Sequence, residues 1–103
     1  MEVKGATELE FYLYQKKYSE NFHKGLNKLK EVSSNNEDYL IQQGDKNEYV
    51  IEQMRIKLKD AGFSIESTKG EAGFGQHEIN IGHEETLKMS DNAYALKLVI
   101  IHI

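Results

Sequence analysis

Two glutamates separated by one residue open an aromatic-rich segment, Glu8-Leu9-Glu10-Phe11-Tyr12-Leu13-Tyr14. Its alternation predicts a strand, which puts both carboxylates on one face. Side chains two apart on a strand sit about 7 Å apart at the backbone, within reach of one ion or of two neighbouring ions. Close carboxylates repel, which raises a pKa unless a cation neutralises them. Hard cations such as Mg²⁺ prefer such oxygen ligands. The competing reading is a solvated strand face, since glutamate is a common surface residue.

A second pair, Glu71 and Glu78, flanks the glycine-rich stretch Lys69-Gly70-Glu71-Ala72-Gly73-Phe74-Gly75. If the flanking segments pair as a hairpin, both glutamates point to one side; otherwise this is a surface loop. The glycines make no known phosphate cradle, because no Gly-Lys-Ser/Thr follows and the next segment reads as a strand. His77-Glu78 and His83-Glu84 begin like zinc-peptidase motifs, but the second histidine would have to stand at Ile81 or Leu87. His23 and His102 read as surface or core residues. No nucleophile has a paired base.

These groups need elements to position them. Residues 19–32 carry Phe22, Leu26 and Leu29 at helical spacing, and Ser33-Ser34-Asn35-Asn36 reads as a turn. Tyr39-Leu40-Ile41 reads as a short extended piece. Asp45 with Glu48 forms a capping-box pattern, Val50, Met54, Leu58 and Ala61 share a helical face, and Gly62 stands where a helix ends. Residues 63–68 read as a strand with Phe63, Ile65 and Ser67 on one face. Residues 76–81 alternate, with His77, Ile79 and Ile81 on one side and Gln76, Glu78 and Asn80 on the other. Residues 84–103 begin as an amphipathic helix and become apolar on nearly every side; Val99-Ile100-Ile101 also suits a strand. The fold class expected is α+β: an antiparallel sheet from the segments holding Glu8, Phe63 and Gln76, with helices packed on one face.

Composition narrows the function. The 103 residues suffice for one small domain, and 39% hydrophobic with 29% charged residues is an ordinary globular mixture. There is no cysteine, which excludes disulfides and thiolate metal sites and fits a reducing cytoplasm. The N-terminus shows no apolar signal segment, and Leu98-Val99-Ile100-Ile101 is too short to span a membrane. Seventeen acidic residues against 13 basic ones, with Arg55 the one arginine, argue against a nucleic-acid partner.

Two segments together resemble glutamine synthetase. Gly5-Ala6-Thr7-Glu8-Leu9-Glu10-Phe11-Tyr12-Leu13-Tyr14 is similar to the family's strand with Glu-x-Glu followed by aromatics. Residues 62–80, and within them Lys69-Gly70-Glu71-Ala72-Gly73-Phe74-Gly75-Gln76-His77-Glu78-Ile79-Asn80, resemble the stretch around Gly-Gln-His/Asn-Glu-Ile. Ser90-Asp91-Asn92 and Leu96-Lys97-Leu98-Val99 continue the likeness, and 18–47 is its weakest part. The resemblance implies part of a catalytic domain spanning 1–103. It implies that Glu10, Glu71 and Glu78 hold one divalent cation, Mg²⁺ or Mn²⁺, and that Glu8 holds a second. It implies Glu66 near the nucleotide and Tyr39 near the ammonium pocket. The implied reaction uses ATP to phosphorylate the γ-carboxyl of glutamate before an amine displaces phosphate.

The departures qualify this. Lys69 and Gly70 stand where many members have histidines, and the Lys-Gly-Glu-Ala-Gly version looks more like relatives that join glutamate to amines other than ammonia. No counterpart appears for the family's N-terminal domain, its later histidine ligand or its arginine-rich phosphate motif. The expectation is a portion of a cytoplasmic, homo-oligomeric glutamate–amine ligase, inactive alone. A non-catalytic binding or regulatory protein on the same fold, and an acidic scaffold with merely solvated glutamates, are the alternatives.

Overall fold

The computed structural model describes residues 1–15, 29–36, 38 and 40–103, with backbone alone for 41–46. Among the described residues, five strands and two helices follow in the order β1 (Lys4–Gly5), β2 (Glu8–Tyr12), α1 (Ile41–Asp60), β3 (Ile65–Gly70), β4 (Gln76–Ile81), β5 (Glu84–Glu85) and α2 (Thr86–Ile101). This is an α+β arrangement. β2, β4 and β3 form an antiparallel sheet in that order, so β4 is the central strand. β1 and β5 form a separate two-residue ladder that brings the N-terminus beside the start of α2.

The alternation expected for 8–14 and 76–81 is realised. Glu8, Glu10 and Tyr12 lie opposite Asn80, Glu78 and Gln76, while Leu9 and Phe11 lie opposite Ile79 and His77. Cα partners in an antiparallel ladder share a face, so one face is polar and the other apolar. The helices cover the apolar one. Leu58, Ile79 and Leu96 are fully buried, and Ile51, Met54, Ile81 and Met89 complete the cluster. Each such side chain contributes about 1.5–3 kcal/mol when taken from water.

α1 ends as its sequence suggests. Gly62 has φ +91°, Phe63 N–H donates to Leu58 C=O at 3.0 Å and Gly62 N–H to Lys59 C=O at 3.0 Å. That pair of bonds is the Schellman closure, which glycine allows without a Cβ penalty. The start differs. The helix begins at Ile41 with Leu40 as N-cap, so Asp45 falls in the second turn rather than at the cap position. Ile41-Gln42-Gln43 contains no helix breaker, and Gly44 costs only about 1 kcal/mol within a helix. Of the expected apolar face, Met54 and Leu58 are buried, Val50 half-buried and Ala61 exposed, while Ile51 and Asn47 join the buried stripe.

β3 also departs from simple alternation. A bulge between Ile65 and Ser67 turns Thr68 and Gly70 to the apolar side, opposite Ile79 and His77. Ser67, expected beside Ile65, therefore joins Lys69 on the polar face opposite Asn80 and Glu78. Of the helix expected over 19–32, residues 19–28 lie outside the described residues. Leu29 and Lys30 are not helical, and Glu31 bridges to Tyr14. Ser33 Oγ accepts from Asn35 N–H at 3.3 Å, a local turn as expected. In the Tyr39-Leu40-Ile41 piece, Leu40 is extended but Ile41 is already helical. Residues 84–103 form a two-residue strand and then a helix as far as Ile101. Glu85 caps that helix, accepting from Leu87 N–H at 3.1 Å and Lys88 N–H at 3.3 Å. Among the described residues no helix is long and apolar enough to cross a membrane.

Candidate metal centre

The polar face of the sheet gathers the carboxylates. Glu8 and Glu10 project from β2 and Glu78 from the central strand, and one oxygen of each lies within 4.8 Å of the others. Glu8 and Glu10 are exposed, whereas Glu78 is 3% exposed. β4 lies between β2 and β3, so its outward side chains are walled by those of both neighbours.

Neighbouring amides hold the carboxylates in place. Gln76 Nε2 donates to Glu10 Oε2 at 2.6 Å, and Asn80 Nδ2 donates to Glu78 Oε1 at 2.5 Å and to Ser67 Oγ at 3.1 Å. Gln76 also accepts from Gly73 N–H at 2.9 Å and from the Tyr12 hydroxyl at 3.3 Å. It thereby ties the glycine-rich turn to β2. A Cβ at Gly73 would fall 2.4 Å from the Tyr12 hydroxyl and 2.5 Å from Gln76 Oε1. Glycine there keeps this bridge intact.

Glu71 leaves β3 just before the turn and does not join the three converging oxygens. Lys69 Nζ lies 2.6 Å from Glu71 Oε1, 3.8 Å from Glu78 Oε2 and 3.9 Å from Asp38 Oδ1. The hydrogen bond from Lys69 holds the Glu71 carboxyl below the usual glutamate range. The same bond raises the Lys69 ammonium above its ordinary value. Burial pushes the Glu78 carboxyl up, Glu71 pushes it the same way, and the Asn80 amide opposes them. Of the two linked carboxyls, Glu78 is therefore the one that takes up a proton first.

Glu66 lies at the β3 bulge, exposed, in a groove lined also by Arg55, Lys59 and Phe63, and it is no part of the carboxylate group. Tyr39 lies outside the described residues. His77 is 2% exposed on the opposite face from Glu78, stacked on Phe11 with centroids 6.2 Å apart and with Nε2 3.5 Å from Asn47 Nδ2. Its role is to pack β4 against α1. Gln76 and Asn80 were placed on the Glu78 side by alternation alone, yet nothing in their types announced that they would hold the carboxylates. Their register supplies that.

The sequence matches the family model described as glutamine synthetase, catalytic domain, over residues 1–103. The chain belongs to the glutamine synthetase family. It is 32% identical over 86 residues to the gamma-glutamylethanolamide synthetase of Streptomyces coelicolor, covering 84% of this chain and 19% of that protein. It is 29% identical over 92 residues to a glutamate–isopropylamine ligase of a Pseudomonas species, covering 89% of this chain and 20% of that protein. The chain thus spans about a fifth of the length of these relatives. Both relatives are named as ligases joining glutamate to an amine, in keeping with the ligase family that the sequence suggested.

The residues present fit a divalent cation. Three carboxylate oxygens converge, two of the carboxylates are steadied by amide donors, and one is buried at a cost that a cation would relieve. Glu8, Glu10 and Glu78 would hold the ion, with Glu71 adjoining. A bound divalent ion supplies charge to offset phosphate oxygens and to orient a phosphoryl group.

Proposed function

We propose that this chain is the cation-binding part of an ATP- and Mg²⁺- or Mn²⁺-dependent ligase. The reaction joins the γ-carboxyl of glutamate to an amine other than ammonia. The convergence of Glu8, Glu10 and Glu78 on the polar face of the sheet carries this reading. The family match and the two amine-ligating relatives support the reaction class and the amine. Glu66 is assigned to the nucleotide and Tyr39 to the amine pocket on the resemblance alone. The lack of cysteine suits a reducing cytoplasm.

The 103-residue chain by itself is expected to be inactive. Its one arginine is engaged with Glu48 and donates to Thr68 Oγ1 at 3.1 Å, and Thr68 lies on the face of the sheet opposite the carboxylates. Phosphate release with ATP, glutamate and either ammonia, ethanolamine or isopropylamine should not exceed that of Glu71→Ala. Mn²⁺ should raise the melting temperature of the chain, and Glu78→Gln should abolish that rise. An unchanged rise in Glu78→Gln refutes the cation assignment. We also propose self-association through the outer face of α2, where Leu87, Tyr94 and Ile101 are at least 68% exposed. Sedimentation should show concentration-dependent mass that Ile101→Asp reduces.

A further inference from the structure

Resting on the cation site proposed above, we propose that Lys69 is a built-in competitor of the divalent ion and sets its affinity. The register places Lys69 and Glu10 on opposite sides of Glu78, one on β3 and one on β2. Glu78 is therefore shared. Its Oε2 faces the Lys69 ammonium at 3.8 Å, while the residue also belongs to the three converging carboxylates. Lys69 binds Glu71 more closely, at 2.6 Å, which holds that carboxylate beside the cluster rather than within it.

Two consequences follow from charge alone. A divalent ion entering the cluster meets a positive charge already facing one of its ligands, so binding is weakened. Removing that charge also releases Glu71, which is already linked to Glu78, to add to the negative field. Lys69 is 40% exposed at its side chain, so solvent screens it and the ammonium can swing away when the ion arrives. This makes Lys69 a positioning residue. It keeps the acidic face folded without an ion and yields to one.

The test is calorimetric titration of Mn²⁺ into the chain and its Lys69→Met and Lys69→Arg variants, each first checked for native circular dichroism. A unit charge about 6 Å from a divalent ion in a water-like medium changes binding about tenfold. Lys69→Met should therefore tighten Mn²⁺ binding by about that factor, and Lys69→Arg should stay near the parent. Binding to Lys69→Met that is equal or weaker overturns this inference and leaves the cation site standing. No binding to either the chain or Lys69→Met overturns both. A second readout needs no variant: the Lys69 Nζ resonance should shift as Mg²⁺ is added. A resonance unmoved at saturating Mg²⁺ overturns the competition.

Discussion

The two faces of the three-stranded sheet are made by the same strands with opposite chemistry. On one, Ile79 and Ile81 meet Met54, Leu58 and Leu96 and vanish from solvent. On the other, Glu78 is almost as buried, but beside Glu10, Lys69, Gln76 and Asn80. Burial stabilises the fold on the first face. On the second it costs stability, because a carboxylate loses water and gains like-charged neighbours. A sheet face that is unfavourable for the isolated chain and becomes favourable with a cation is one arranged for function.

Substitutions at the two faces should therefore have opposite signs. The largest effect is expected at Leu58 or Ile79. Leu58→Ala or Ile79→Ala removes fully buried atoms and should cost about 2–5 kcal/mol, read from urea unfolding. A cost below about 1 kcal/mol at either position would break the assignment of that face as the core.

Glu78→Gln should instead stabilise the ion-free chain at neutral pH. The folded-state pKa of Glu78 is raised, so the folded chain holds that proton more tightly than the unfolded one. Its stability is then full below the ordinary glutamate value and falls as pH rises through the raised one. Unfolding midpoints measured across that window should decline in the parent and decline less in Glu78→Gln. A steeper decline in the variant would contradict the sign.

Gly62→Ala is a control at the exposed end of α1, outside the carboxylate group. At φ +91° the added Cβ is strained although nothing lies within 4 Å of it. A loss of about 1 kcal/mol is expected, independent of pH and of Mn²⁺. The smallest effect belongs to Glu84, whose carboxyl is held below its usual range by Lys88 at 2.8 Å. A depressed pKa gives stability that is present above the unfolded value and lost as pH falls through the folded one. Glu84→Gln should flatten that acid limb slightly, as befits an exposed pair. Together with Glu78, it gives two carboxyls with opposed pH slopes in one small chain.

Much of this was legible in the residues, and the illegible parts have physical causes. Period-two alternation in 76–81 sorted Gln76, Glu78 and Asn80 from His77, Ile79 and Ile81, and the structure keeps that sorting. Gly62 announced the end of α1 because few other residues accept its backbone conformation. The bulge at Glu66 was invisible, since no residue type there demands it and its effect is to exchange the faces of Ser67 and Thr68. The true start of α1 was hidden by a capping-box pattern that the helix overruns. The β1–β5 ladder escaped because two-residue strands have no period to detect. The resemblance named Glu8, Glu10, Glu71 and Glu78, and register shows how three converge. The hold of Lys69 on Glu71 depends on distances that spacing does not encode.

The most direct test of the cation site is an anomalous difference map at the manganese edge from crystals of the chain grown with Mn²⁺. A peak bounded by the Glu8, Glu10 and Glu78 carboxylates on the polar face of the sheet is expected. Carboxylates that remain converged with no peak between them, or a peak held by other residues alone, would contradict it.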